Sequence, residues 1–168
     1  MVVNPTFSDL CRSPSLLLAF GFGSGLSPKA PGTMGTLAAV PLYLLLSQLP
    51  LWLYLAIVIA GFGLGVVICS QASKLLQVHD HGGIVWDEII GYWLTMVLAP
   101  PGWWWIVAGF VLFRVFDILK PWPISIADKK ISGGFGIMID DVLAAVYALI
   151  CLQFAAWLLI GYKVFEWA

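Results

Sequence analysis

Asp80, Asp87, Glu88, Asp117, Asp140 and Asp141 fall in three short polar stretches of an otherwise apolar chain. Carboxylates gathered in this way repel one another unless a cation lies between them. Their hard oxygens suit Mg²⁺, which is held by one or two carboxylates and completes its shell with phosphate oxygens. Lys29, Arg114 and Lys120 accompany them, and these residue types grip phosphate oxygens. The combination points to metal-assisted chemistry at a phosphate group.

The first acidic stretch is "VHDHGGIVWDEIIGYW". His79 and His81 with scattered carboxylates match no familiar zinc spacing. Asp87 and Glu88 stand at the entrance of an apolar run, and a carboxylate at mid-bilayer costs roughly 2.5 to 3.5 kcal/mol. The pair is therefore expected at the water boundary, kept for a metal. On a helix the two project about 100° apart, so one is expected to face the site while the other holds a partner. The plainer alternative is that both simply favour a helix N-terminus. Gly91, one turn beyond Asp87, leaves room for another helix.

In "FRVFDILKPWPISIADKK", Arg114, Asp117 and Lys120 recur every three residues along one helix face. Arg114 and Asp117 form either a simple ion pair or a ligand and its phosphate clamp, with Pro121 and Pro123 ending the helix. "ISGGFGIMIDDVLAAVY" reads as a Gly-rich turn leading to Asp140 and Asp141 at the head of the last span. One Asp there is an ordinary N-cap, and two exceed what capping needs. Ahead of all three lies "GFGSGLSPKAPGTMGTLAAV", Gly21 to Val40. Here Thr33 or Thr36 is expected to cap a helix beginning near Leu37, and a Gly-rich helix entry beside Lys29 is a natural anion site. A tight turn with ordinary capping is the alternative. Neither a Walker A loop nor a Rossmann turn is present.

The elements that must position these residues are membrane helices. Of 168 residues, 61% are hydrophobic and 10% charged, against about 25% charged in soluble domains. Five apolar segments stand out: Leu37 to Leu49, Leu51 to Cys69, Ile84 to Ala99, Trp103 to about Leu119, and Val142 to Tyr162. A perpendicular span takes about 20 apolar residues, so the first is short. The tryptophans Trp52, Trp86, Trp93, Trp103 to Trp105, Trp122, Trp157 and Trp167 are expected near span ends. The joints "SQLP" and "APPG" are uncharged, whereas the other connections carry Arg12, Lys29, Lys74, Arg114, Lys120, Lys129 and Lys130, leaving Lys163 opposite. By the positive-inside rule the charged side is cytoplasmic. The expectation is all-α: one polytopic helical bundle over residues 1–168, with four to five membrane segments and charged loops on the cytoplasmic face.

Other classes are excluded. A net charge of −1 without a basic run argues against nucleic acid. Cys11, Cys69 and Cys151 are widely separated and form no C-x-x-C pair, so they read as buried small apolar residues. No Cys is followed six positions later by Arg and no D-x-D occurs, which argues against a cysteinyl phospho-enzyme. The N-terminal "MVVNPTFSDLCRS" lacks a basic signal region, so insertion through the chain's own spans is expected.

The stretches "GFGSGLSPKAPGTMGTLAA", "HDHGGIVWDEIIG", "FRVFDILKPWPI" and "GGFGIMIDDVLAA", in this order and over almost the whole chain, resemble the motif set of the bacterial phosphatidylglycerophosphatase A family. The resemblance implies a Mg²⁺-dependent lipid phosphatase of the bacterial inner membrane. It would convert phosphatidylglycerophosphate to phosphatidylglycerol, the last step in making that lipid. The acidic motifs carry over to Asp87, Glu88, Asp117, Asp140 and Asp141, and the chemistry of their hard oxygens, rather than the resemblance, makes them the candidate metal ligands. Glu88 or Asp80 would orient the attacking water, unless a carboxylate itself is the nucleophile. Lys29, Thr33, Thr36, Arg114 and Lys120 would hold phosphate oxygens. A small cation-coupled transporter is the alternative; it predicts acidic residues at mid-span in several helices and often a repeat. A phosphoalcohol transferase would need a D-G-x-x-A-R type motif, which is absent.

Overall fold

In the computed structural model, residues 5–161 are described. They form α1 (Phe7–Arg12), α2 (Pro14–Ala19), a 3-10 turn over Gly21–Leu26, α3 (Pro31–Leu46), α4 (Leu51–Leu76), α5 (Trp86–Thr95), α6 (Trp103–Leu119), α7 (Ile124–Lys130) and α8 (Gly133–Ile160). No strand occurs among the described residues. Tyr162, Lys163 and Trp167, which entered the reading of the last span and its flank, lie outside them.

Helix α8 is the axis of the molecule and packs against α4, α5, α6 and α7. It can touch so many neighbours because small residues recur along it: Gly134, Ala144, Ala145, Ala148 and Ala156 are all buried. Gly134 lies so close to α4 that a Cβ there would run into the Val66 carbonyl oxygen. Gly91 of α5 leaves the predicted room: a Cβ would meet the Phe113 ring of α6 at 2.6 Å and the Asp141 carbonyl oxygen of α8 at 3.3 Å.

Helices α4 and α8 are long and apolar enough to cross a membrane, with mean hydropathy 2.5 and 2.3 over their best windows. Only 22% and 28% of those windows is buried, so these helices turn most of their apolar surface outward, unlike core helices of a soluble protein. Helices α3 and α6, at 16 and 17 residues, are shorter, and α5 has ten residues, about 15 Å of rise. The end of α5 is finished from outside. Gln153 of α8 donates to the Val97 and Leu98 carbonyls at 3.0 and 2.8 Å, satisfying groups that burial would otherwise leave unpaired.

Two helices begin earlier than expected. α3 starts at Pro31 and not near Leu37, with Pro at its first turn and Ala30 as N-cap in a left-handed conformation. Thr33 and Thr36 are therefore not caps but helix residues. Likewise α8 starts at Gly133, which places Asp140 and Asp141 about two turns inside it rather than at its cap. Interior glycine costs about 1 kcal/mol against alanine, but at these positions it permits close approach, and packing outweighs propensity. Two further expectations are corrected. Trp86 and Trp93 are core residues, donating their indole N–H groups to Gly61 and Ala39 carbonyls, while Trp52, Trp103, Trp104, Trp122 and Trp157 are exposed. Cys69 is fully buried, but Cys11 is exposed.

Candidate active site

The first turn of α5, the last turns of α6 and the third turn of α8 converge. Asp87 and Glu88 come from α5 and Asp141 from α8, and one carboxylate oxygen of each lies within 4.8 Å of the others. Adjacent residues on a helix would normally diverge, and one of Asp87 and Glu88 was expected to serve a partner. At the open start of α5, both carboxyl groups instead turn to the same centre and touch each other. Asp117 of α6 borders the group through contact with Asp141.

The donor set tests well against a hard divalent cation. All donors are carboxylates, Asp141 is 3% exposed, and Asp87 Oδ1, Glu88 Oε2 and Asp141 Oδ2 are buried without a hydrogen-bond partner. Carboxylates packed in this manner cannot all be charged unless a cation is shared. Mg²⁺ accepts such oxygens.

Arg114 is the cation of this centre. Its Nη1 stands 2.6 Å from Asp117 Oδ2 and 3.6 Å from Glu88 Oε1, while its Nε is buried without a hydrogen-bond partner. The i,i+3 pair with Asp117 thus forms, and Arg114 also reaches the acidic cluster. The N-terminus of α3 is the next wall. Gly32 is buried there, and a Cβ would overlap Glu88 Oε1 and lie 3.0 Å from Arg114 Nη1. No side chain caps this helix, so its first backbone N–H groups stay available, the arrangement that favours anions.

The remaining predicted residues separate from this centre. Lys120 is the left-handed C-cap of α6, so it leaves the face shared by Arg114 and Asp117. Its Nζ lies between Asp128 Oδ1 at 2.5 Å and Asp140 Oδ2 at 2.6 Å. Asp140 and Asp141, neighbours on α8, therefore serve two different clusters. Asp128 was missed because it sits in the run "DKK", which reads as a solvated patch. Thr36 is fully buried and donates its hydroxyl to the Gly32 carbonyl at 2.9 Å. Thr33 is half-buried on the first turn of α3, and Lys29 is exposed just ahead of it.

Asp80 lies in the loop between α4 and α5, outside the three-carboxylate group. It is exposed, yet desolvation raises its carboxyl above the ordinary range, with Lys120 opposing and Asp128 adding to the shift. The same loop is tied down by its histidines. His79 Nε2 accepts from the Gly133 N–H at 2.8 Å, which joins the loop to the start of α8, and His81 Nδ1 accepts from the Gly83 N–H at 3.0 Å.

Fold and site define an all-helical protein with helices fit to cross a membrane and a carboxylate centre, flanked by Arg114 and a free helix N-terminus, at one end of the bundle. The family model described as Phosphatidylglycerophosphatase A matches residues 17–156. The chain is 49% identical over 161 residues to a protein of Escherichia coli strain K12 named phosphatidylglycerophosphatase A, covering 92% of this chain and 94% of that one. It is 50% identical over 149 residues to a Haemophilus influenzae protein of the same name, covering 88% and 91%. The chain belongs to the phosphatidylglycerophosphatase A family. No solved structure matches it. The transporter reading finds no support in these relatives, and the carboxylates gather at one end of the bundle rather than along it.

Proposed function

We propose that this chain hydrolyses the phosphomonoester of phosphatidylglycerophosphate to phosphatidylglycerol and inorganic phosphate, acting with Mg²⁺ in the bacterial inner membrane. The observation that carries this reading is the convergence of Asp87, Glu88 and Asp141 within 4.8 Å, beside Arg114, in a chain of this family. The five membrane segments would be α3, α4, α5 with its trailing turn, α6 and α8. The carboxylate end faces the cytoplasm in this reading, because the cations of the chain collect in the connections at that end.

Asp87, Glu88 and Asp141 would hold the metal, with Asp117 at its border. The chemistry that Mg²⁺ supplies when bound there is neutralisation of the phosphate charge that otherwise repels a nucleophile. Arg114 and the first N–H groups of α3 grip the phosphate oxygens, and Lys29 adds positive charge at the entrance. Glu88, through the carboxylate oxygen that does not face the metal, orients the attacking water and accepts its proton. Asp117 holds Arg114 in place. Lys120 orders Asp140 and α7 and serves the site from behind, and Thr36 secures α3.

The test is phosphate release from phosphatidylglycerophosphate by purified protein in detergent, with Mg²⁺ and with excess chelator. Release that needs the metal is expected. Folded protein that releases nothing under either condition would overturn the assignment.

A further inference from the structure

Beside the carboxylate centre, a cavity of about 540 Å³ opens between the 3-10 turn, the start of α3 and the loop before α5. One wall is Pro31, whose neighbour Gly32 abuts Glu88 and Arg114. Another lining residue is Asp80, which stands within electrostatic reach of Lys120 and Asp140. The cavity is therefore the space next to a phosphate seated at Arg114. Its walls are mainly apolar, with Asp80 as their charged carboxylate, and no Lys or Arg among the described residues lines it. A carboxylate at the rim of a mainly apolar recess accepts a hydrogen bond from a neutral hydroxyl.

Resting on the proposed phosphatase reading, we infer that this cavity is the subsite for the short hydroxyl-bearing linker that carries the phosphomonoester, and that Asp80 accepts a hydrogen bond from its free hydroxyl. In phosphatidylglycerophosphate that linker is a glycerol, with a secondary hydroxyl on its middle carbon. Asp80 then acts on selection. A lipid whose phosphate is joined to the diacylglycerol without such a linker places nothing in the cavity and gains nothing from Asp80.

The experiment compares two short-chain substrates in detergent with Mg²⁺: phosphatidylglycerophosphate, and an analogue whose linker is propane-1,3-diol and so lacks the hydroxyl. The wild-type protein should favour the hydroxyl-bearing substrate by about 10- to 100-fold in kcat/KM, the value of a hydrogen bond to a charged group. Asp80→Ala should compress that ratio to about threefold or less, and Asp80→Asn, which keeps an acceptor without charge, should fall between. A wild-type protein that hydrolyses both equally leaves the phosphatase reading intact and overturns the subsite. So does an Asp80→Ala protein that slows both substrates alike, since that is the mark of a group acting on water. Hydrolysis of neither substrate by the wild type overturns the phosphatase reading and the subsite with it.

Discussion

Asp140 and Asp141 show how much one position matters on a helix. They are adjacent in sequence, yet Asp141 joins Asp87 and Glu88 while Asp140 pairs with Lys120. The two substitutions should therefore differ. Asp141→Asn should lower phosphate release about 100-fold and raise the Mg²⁺ concentration needed for half-maximal rate. Asp140→Asn, which touches only the surrounding network, should cost about tenfold or less, the range for groups that support a ligand. A Mg²⁺ titration of both variants checks this, and equal losses would show that the two clusters act as one. At this scale the residue types were legible in the sequence, because carboxylates are conspicuous in apolar surroundings. Their partition was not. Lys120 looked like a neighbour of Arg114 and Asp117 until its left-handed backbone turned it toward α7 and α8, and Asp128 gave no signal inside a run of lysines.

Among the elements, the long apolar helices were plain from composition, whereas their starts were not. The stretches around Gly32 and Gly134 were read as turns because glycine is a poor helix former in water. In a bundle whose helices meet across small residues, the same glycines mark contact: Gly32 admits Glu88, Gly35 admits Val85 and Gly134 admits the α4 backbone. The short helix α5 depends on a residue that drew no attention in the sequence. Gln153→Leu keeps α8 apolar but leaves the Val97 and Leu98 carbonyls without their donor. It should destabilise the protein by about 1–3 kcal/mol, the cost of unpaired buried polar groups. Thermal unfolding in detergent should show the lower midpoint, while the Mg²⁺ requirement of the folded fraction stays as in the wild type.

For the whole molecule, the polarity of the bundle is the property to test. The uncharged joints α3–α4 and α5–α6 line shared cavities, and in the proposed arrangement they belong to one end while the carboxylates with most of the cations belong to the other. Reporters fused after Ser47 and after Pro101 should both read as periplasmic, and one after Lys130 as cytoplasmic; a split between the first two would break the five-segment arrangement. The overall helical class followed from composition alone. The number of crossings did not, because α3, α5 and α6 are each shorter than a perpendicular span.

Helices α5 and α8 run side by side in the same direction and would be fastened twice, by the cation that Asp87 and Asp141 would share at one end and by Gln153 on Val97 and Leu98 at the other. Two such fastenings, about 15 to 18 Å apart by helical rise, fix the register of the pair. Bilayers of different thickness then have to be matched by tilt of the whole bundle or by deformation of the lipid, not by one helix sliding past the other. The spacing of the carboxylates becomes independent of acyl-chain length, so a cell that remodels its fatty acids keeps the same centre at work.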